Sequence, residues 1–424
     1  MHAEIVRRVL ALAHQSVKDT HRDRLEAYIE TYCRAIPPEV LNEIEPQKLL
    51  AFVMDRFAFL EESFGKTVKV EIRDPETTLT GDDAPCMVIE TRLPDCAFII
   101  RTIKSFLRQM NLQLQFVLHP IHGVLADHGQ ITGIDPERGA KYSQVYLQVS
   151  PVPRERREAL RIDLEQRLEL TLLVNRDRRA MMARFSEVRA YLSDVSGRDL
   201  PTPSAPDLLM TRELVLRASS DAPRTPRETE ADEAVQLIDW LKDDNFVLAG
   251  YAWFPHGAAG PEKGLGLFAA PERKHLEEVI GEIVATRVRR EEVYSYYRTD
   301  YMSVMRSVAQ VRYFGIAQLG PDGKRLGEHV FIGLMSTKAL KTANRRVPVV
   351  GSRIRSVMAM LEDQPGSYSY AKSVAILDSI PVEDLFYWNI DEIRDVASHF
   401  RLAESRDHAR VFVWRRPNRR RITV

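Results

Sequence analysis

The sequence predicts an α+β fold, and three observations lead to this prediction. Apolar residues recur at helical spacing in several segments, for example between Leu25 and Cys33. Other segments alternate apolar and polar residues as half-buried strands do, for example residues 68–72. Turn-forming sequences such as residues 320–323 (Gly-Pro-Asp-Gly) separate these segments. Helices and strands mixed in this way are typical of sheets with helices packed against them.

Composition limits the classes of protein that fit. The 424 residues correspond to about two to four domains. Sixty Lys and Arg balance sixty Asp and Glu, so no overall positive charge drives nucleic-acid binding. Three cysteines are too few for a disulfide framework, and no signal peptide or membrane span is recognisable. The sequence therefore predicts a cytoplasmic protein.

The first half begins with helices and continues into a sheet. Residues 1–65 are predicted as N-terminal helices that end near Gly65. Residues 66–195 contain strand and helix patterns, and from Met87 onward the order is strand, helix, strand, strand, helix. This order is most of the ferredoxin-like βαββαβ unit, a sheet with helices on one face. The predicted strands are Val68–Ile72, Met87–Thr91, Leu112–Val124 with a break at His119-Pro120, and Gln144–Val149. One predicted helix begins at Asp95, and a second, charged helix runs from Arg154 to about Ser193.

The second half is predicted as a further α+β domain. Residues 196–233 are rich in Pro, Ser, Thr, Asp and Arg and read as a linker. Residues 234–345 alternate helices with strands of a largely antiparallel sheet. Residues 346–405 form a helical segment, and residues 406–424 hold a terminal strand that could start a truncated further domain.

Sequences that could bind a nucleotide or a metal have simpler structural explanations. Residues 264–269 match a Gly-x-Gly-x-x-Ala dinucleotide fingerprint, but they follow a loop and are themselves strand-like. His119, His122 and His128 could be metal ligands, although edge or loop histidines are the favoured reading. No metal site is therefore predicted.

The candidate nucleophiles and acids also have simpler structural explanations. Cys96, near a predicted helix N-terminus, could have a lowered pKa, but a buried thiol is favoured. Asp243-Asp244 is read as a turn and not as a catalytic pair. The arginines near the C-terminus could bind phosphate or an acidic partner, but the favoured interpretation is a chain end that is exposed to solvent. No nucleophile elbow, Walker A or zinc-protease motif is present, so no catalytic residue is predicted.

The second half nevertheless resembles a known family, the large bacterial NAD-specific glutamate dehydrogenases. Residues 243–251 resemble its D-D-[HN]-F-x-x-x-G-Y segment, and residues 323–336 fit its G-x-x-x-G-E-x-x-F-x-G-L-x-[ST] stretch. Further matches are Val347-Pro348, Lys372, Ile376-Leu377, Pro381–Phe386, Asp391-Glu392 and Arg410–Val413.

The first half resembles the family more loosely. Residues 95–98 (Asp-Cys-Ala-Phe) are similar to its D-x-P-F at the start of a helix, with Ala97 in place of Pro. His119-Pro120 matches its H-P element. Arg101-Thr102 stands where the family has D-S, and residues 142–150 lack the His and acidic residues of the corresponding strand. The resemblance implies a ligand-binding module of the ACT type.

The matches fall in the N-terminal, non-catalytic part of that family. The resemblance implies a regulatory or oligomerisation region, with NAD bound in the full-length enzyme of glutamate catabolism and no cofactor in this chain. It implies a homo-oligomer or a catalytic dehydrogenase region as partner, and an amino-acid effector. The predicted ligand-binding residues are Asp95, Cys96, Ala97 and Phe98, because free N–H groups at a helix start accept carboxylates. A self-contained NAD-dependent enzyme and a ligand-free scaffold remain the alternatives.

Overall fold

The computed structural model confirms the α+β class, with helices packed on antiparallel sheets. It describes residues 2–16, 22–62, 64–76, 78–79, 85–197, 225–258, 260–287, 292–303, 309–361, 363–404, 414–415 and 422–423. The chain forms two compact units, Met1–Asp177 with Met302–Ala309, and Arg178–Tyr301 with Gln310–Val424. The predicted linker falls mostly outside the described residues, but its last residues belong to a helix that begins at Pro226. The other domain boundaries remain predictions.

The first unit is built from helices and a six-stranded sheet. Its helices are α1 (His2–Ser16), α2 (Arg22–Ala35), α3 (Pro38–Glu43), α4 (Pro46–Glu62), α5 (Ile99–Gln109) and the first part of α6 (Arg154–Ser196). Its strands are β1 (Lys69–Arg73), β2 (Met87–Pro94), β3 (Leu114–Leu118), β4 (Ile121–Asp127), β5 (Gln130–Ile134) and β6 (Ala140–Val149). The strand order is β1-β2-β6-β4-β5, and β3 also pairs with β6.

Helices cover both faces of this sheet, which corrects the prediction of helices on one face. Val88 of β2 packs in a core with α1, α2 and α4, whereas its neighbour Ile89 packs with α5 and α6. Strands that are buried on both faces lose the simple alternation of apolar and polar residues. The N-terminal helices were predicted as a separate block, and their apolar stripes in fact supply the second layer.

The strand predicted over residues 112–124 is broken at the predicted position, and the hairpin that follows it, between β4 and β5, was missed. His119-Pro120 does interrupt that strand, and the two parts, β3 and β4, pair with successive segments of β6. Strand β4 then turns into β5 through His128 and Gly129, whose φ angles are 47° and 79°. Two positive φ angles favour a tight hairpin turn, but His-Gly is a weaker sequence signal than Asn-Gly.

Gly123 on β4 makes a close backbone approach that gives a testable prediction. A Cβ atom at this position would lie 1.9 Å from the carbonyl oxygen of Asp135. Gly123→Ala is therefore expected to destabilise the first unit by roughly 1–3 kcal/mol through overpacking. Urea denaturation checks this value. Gly65→Ala is the control, since its Cβ meets no atom within 4 Å, and an equal loss in both variants would contradict the account.

The second unit contains a five-stranded sheet and a helical segment. Its strands are β7 (Phe246–Pro255), β8 (Glu262–Gly266), β9 (Tyr294–Met302), β10 (Gln310–Leu319) and β11 (Arg325–Met335). Its helices, after the end of α6, are α7 (Pro226–Trp240), α8 (Lys274–Arg287), α9 (Thr337–Lys341), α10 (Val350–Met360), α11 (Tyr368–Ser379), α12 (Val382–Leu385) and α13 (Ile390–Glu404). Two-residue strands β12 (Trp414–Arg415) and β13 (Ile422–Thr423) pair with each other.

The antiparallel sheet of the second unit was predicted correctly in type. Its order is β8-β7-β11-β10-β9, and the β10–β11 hairpin turns at the predicted Gly-Pro-Asp-Gly sequence. The strand predicted from Tyr301 to Val308 overlaps β9 at Tyr301 and Met302, and its residues 304–308 lie outside those that the structure describes. Strand β9 itself begins earlier, at Tyr294. Its residues Ser295, Tyr296 and Thr299 are buried without strict alternation, so the sequence pattern was not clear there.

The helical segment is tied to the sheet by polar contacts. Arg312 of β10 forms a bidentate ion pair with Glu383 of α12, with 2.8 Å between Nε and Oε1. Arg353 of α10 donates hydrogen bonds to the carbonyl oxygens of Leu385, Phe386 and Trp388. The Arg353 hydrogen bonds satisfy carbonyl groups that lack helical partners at and after the end of the short helix α12.

Candidate effector site

The predicted ligand-binding residues lie in the turn that joins β2 to α5. Asp95 and Ala97 are exposed, and Cys96 and Phe98 are half-buried. Helix α5 begins at Ile99, and Phe98 occupies its N-cap position with φ 76° and no side-chain cap. The helix predicted from Asp95 thus begins later, and the Asp95 carboxylate instead accepts a hydrogen bond from the Ser143 hydroxyl at 2.6 Å.

Neighbouring elements fix this turn. The Asp95 N–H donates to the carbonyl oxygen of Lys141 at 2.9 Å, and Asn175 of α6 donates to the carbonyl oxygen of Ala97 at 3.0 Å. The Arg101 guanidinium lies 5.7 Å from the centre of the Phe98 ring. Without a side-chain cap, the N–H groups of the first turn of α5 have no acceptor within the helix. The turn therefore combines backbone donors with an exposed carboxylate.

His119 extends this arrangement through Ser143. The His119 Nε2 atom lies 2.9 Å from Ser143 Oγ, so the serine hydroxyl bridges the imidazole and the Asp95 carboxylate. Burial lowers the pKa of His119, against the opposing effect of Asp95. Because Ser143 donates its single proton to Asp95, the neutral imidazole donates its Nε2–H to the Ser143 oxygen.

The other candidate histidines are not brought to this site. His122 is fully buried, stacks on the Tyr28 ring at 4.5 Å, and has its pKa lowered by burial to about 3. It is a core residue, so the reading of all three as edge or loop histidines is wrong for His122. His128 lies in the exposed β4–β5 turn. Within the described residues, no group of three or more His, Cys, Asp or Glu is arranged to hold a metal ion.

The cysteines are unreactive by their surroundings. Burial raises the pKa of Cys33 to about 12, and burial together with Asp95 raises the pKa of Cys96 to about 11. The alternative of a lowered pKa at Cys96 is therefore wrong. A thiol that stays protonated at neutral pH is a poor nucleophile and a poor metal ligand.

The dinucleotide-like fingerprint does not fit a nucleotide. Gly264 and Gly266 lie at the end of β8, and the following residues 267–269 form a single 3₁₀ turn. Gly266 has φ 59°, and a Cβ there would lie 2.3 Å from the carbonyl oxygen of Ala249. The glycines thus serve strand packing, whereas a dinucleotide needs a strand that runs into an α-helix N-terminus.

Asp243 and Asp244 form a turn, as predicted. Asp244 has φ 53°, and Asp243 pairs with Lys338 at 2.7 Å. The C-terminal arginines lie in a region whose side chains are outside the described part of the structure, so their predicted role stays a prediction.

A buried polar cluster on the α2–α4 face of the first sheet was not predicted. Glu90 of β2 is fully buried and lies 3.0 Å from Arg56 Nε of α4. Gln144 of β6 donates to Glu90 at 3.0 Å and accepts from the Tyr28 hydroxyl at 2.9 Å. The Arg56 guanidinium also lies 4.7 Å from the centre of the Tyr146 ring. This cluster, Glu90, Arg56, Gln144 and Tyr28, joins the N-terminal helices to the sheet.

One sequence signal could have revealed the cluster. Glu90 and Arg92 lie on one face of β2, and Gln144 and Gln148 lie on one face of β6, because side chains at even spacing in a strand point to the same side. Polar residues on one face of a strand usually indicate a face in contact with water, but these residues are buried because helices cover that face. Burial makes each unpaired polar group costly, so these side chains must find partners.

Burial raises the pKa of Glu90 from 4.5 to about 7. Arg56, the Gln144 hydrogen bond and Arg73 oppose this increase, whereas Asp55 adds to it. The stability contributed by a raised pKa is full below pH 4.5 and is lost as the pH rises through about 7. Glu90→Gln is therefore expected to flatten the stability of the first unit between pH 5 and 8, with a change on the order of 1–3 kcal/mol. Urea denaturation at several pH values measures this. The exposed Glu39→Gln serves as control, and an unchanged slope in Glu90→Gln would contradict the account.

The residues of the second unit that match the sequence motifs pack strands and cap helix ends. Asn245 donates hydrogen bonds to the carbonyl oxygens of Trp240 and Asp243. A Cβ at Gly333 would lie 2.3 Å from the carbonyl oxygen of Val247. The Ser336 hydroxyl accepts from the Ala339 N–H and caps α9. These residues explain why the sequence pattern takes this form, and they stabilise the strand and helix ends.

Comparisons with known proteins show which proteins this chain is similar to. The family model "Glutamate dehydrogenase, ACT1 domain" matches residues 28–164, and "Glutamate dehydrogenase, helical motif 1" matches residues 347–404. The NAD-specific glutamate dehydrogenase of Halomonas elongata is 20% identical over 402 residues, which cover 92% of this chain and 24% of the relative. That of Pseudomonas aeruginosa is 20% identical over 419 residues, covering 95% of this chain and 24% of the relative.

The extent of these matches defines what is shared. The chain spans about a quarter of the length of the curated relatives it matches. Among solved structures, an RNA-binding light-oxygen-voltage receptor matches 76% of this chain and 90% of its own at 11% identity, with a TM-score of 0.12. Among the helices of the described residues, none could span a membrane. The ACT1 and helical-motif matches and both relatives agree with the motifs, and they confirm the resemblance of this chain to the N-terminal region of the NAD-specific glutamate dehydrogenases.

Proposed function

We propose that this chain is a regulatory and assembly region of an NAD-specific glutamate dehydrogenase and that it does not itself oxidise glutamate. The ACT1 match over residues 28–164 is the observation that supports the proposal most. The motif residues of the second unit also support it, because they cap helices and pack strands. In this proposal glutamate and NAD bind a catalytic dehydrogenase region, and the partner of this chain is that region or a second copy of the chain.

The effector of the first unit is proposed to be an amino acid bound at Asp95 to Phe98. Its α-carboxylate would accept hydrogen bonds from the first-turn N–H groups of α5, where the helix dipole also favours negative charge. Its α-ammonium would pair with the exposed Asp95 carboxylate, which Ser143 holds in place. Binding would act on a catalytic partner only through different affinities for two conformations.

Calorimetric titration with the common amino acids tests this effector site. We expect at least one to bind, and Asp95→Asn to weaken that binding roughly tenfold or more, as the loss of one charged hydrogen bond does. Asp127→Asn is the matched control, because Asp127 is an exposed aspartate of the same unit. Unchanged affinity in Asp95→Asn would contradict the site. If no amino acid bound anywhere on the chain, a ligand-free scaffold would replace the sensor proposal.

A further inference from the structure

A cleft in the second unit lies between helix α8 and the strands β7 and β11. Its volume is about 620 Å³, which lies within the range of about 300–1,000 Å³ that is typical of small-molecule sites. Strand residues Phe254 and Gly327 line one side, and the loop after β7 lines the rim. Helix α8 supplies the facing wall with Lys274, Glu277, Glu278, Gly281, Val284 and Ala285.

The middle of this wall is open. A Cβ atom at Gly281 would meet no atom within 4 Å, and the same holds at Gly260 on the rim. A glycine inside a helix costs stability relative to alanine. Gly281 therefore leaves space in the cleft at a position where a larger side chain would occupy it.

Most charges around the cleft are already paired. Glu328 is fully buried and accepts hydrogen bonds from Arg325 and from the Tyr313 hydroxyl. Glu277 pairs with Arg273 at 2.9 Å. Among the ion pairs of the described residues, none includes Lys274 or Glu278, which line the cleft one helical turn apart. The cleft thus presents one cation and one anion that form no ion pair among the described residues.

The cleft is charged beside the first turns of α8 and apolar beside its later residues. Lys274 is the first residue of the helix, where the helix dipole favours an anion. Glu278 follows at the i+4 position, about 5–6 Å away between Cβ atoms. Gly281 opens the space beyond them, and Val284 and Ala285 make the far end apolar. A ligand with a zwitterionic head and a short apolar tail fits this order.

We propose that this cleft binds a free α-amino acid with an apolar side chain. The carboxylate pairs with Lys274, the ammonium pairs with Glu278, and the side chain passes Gly281 to contact Val284 and Phe254. A simple carboxylate would face the repulsion of Glu278, and a simple amine would face that of Lys274. The site is separate from Asp95 to Phe98 and does not depend on it.

Calorimetric titration of the chain with L-leucine, L-methionine and L-phenylalanine tests the proposal. At least one is expected to bind, and 4-methylpentanoate and isopentylamine, which each lack one charge of leucine, are expected to bind roughly tenfold or more weakly. Lys274→Gln and Glu278→Gln should each cause a similar loss. Gly281→Leu should abolish binding by filling the cleft, with the fold checked by circular dichroism.

Two controls separate this site from other effects. Glu282→Gln lies on the same helix, is exposed and does not line the cleft, so its affinity should be unchanged. Asp95→Asn should also leave this binding unchanged, so that failure here and failure of the effector site in the first unit are distinguishable. Absence of binding by all three amino acids, or equal affinity in Gly281→Leu and the unchanged chain, would overturn the proposal.

Discussion

Arg56→Met is expected to destabilise the first unit by about 3–5 kcal/mol at pH 8, because it leaves the buried Glu90 carboxylate without its nearest cation, with Arg73 farther away at 3.5 Å. Arg56 is 2% exposed and contacts Glu90 at 3.0 Å. The loss should be smaller at pH 5, where Glu90, with its pKa raised to about 7, carries a proton. Hydrogen exchange of peptides from β2 and β6, followed by mass spectrometry, measures the change within this unit.

A double variant tests the cause of that loss. Arg56→Met combined with Glu90→Gln removes both charges, and it should recover most of the stability, since replacing a whole buried ion pair is often close to neutral. Lys48→Met, at an exposed position of the same helix, is the control and should change stability by about 0.5 kcal/mol or less. If the double variant were as unstable as Arg56→Met, the buried ion pair would not explain the effect.

Phe331→Ala is expected to destabilise the second unit by about 3–5 kcal/mol, because it opens a cavity in the core. Phe331 is fully buried, and its ring lies 4.0 Å from that of Phe185 and 5.0 Å from that of Tyr251. All four tryptophans of the chain belong to the second unit. Tryptophan fluorescence during urea denaturation therefore reports its unfolding.

The matched control for Phe331 lies on the same strand. Leu326 is 49% exposed, so Leu326→Ala should shift the free energy of unfolding by about 0.5 kcal/mol or less. Equal losses in the two variants would show that the contacts around Phe331 do not form the core of this unit.

Local patterns were sufficient for most of the helices. Leu25, Tyr28, Ile29, Tyr32 and Cys33 were predicted as one helical stripe, and all are buried on α2. This succeeds because an amphipathic helix repeats its apolar residues over several turns. Strand limits were less predictable where both faces are buried, as in β2, since the pattern of alternation then disappears.

The candidate sites were predictable only in part. The turn at Asp95 to Phe98 follows from a local strand-to-helix change, but its partner Ser143 comes from β6, 48 residues later. The cleft of the second unit joins residues from Phe254 to Glu328, and none of them marks the site locally. The Glu90–Arg56 pair likewise depends on a helix that docks on the sheet. Such sites depend on tertiary contacts, which one sequence read locally does not define.

The distinction between a regulatory region and a self-contained enzyme is tested most directly by NADH formation. Purified chain is incubated with L-glutamate and NAD, and absorbance or fluorescence of NADH is followed beside a buffer control. We expect no glutamate-dependent NADH formation by this chain. Glutamate-dependent NADH formation that follows the chain through purification would contradict it.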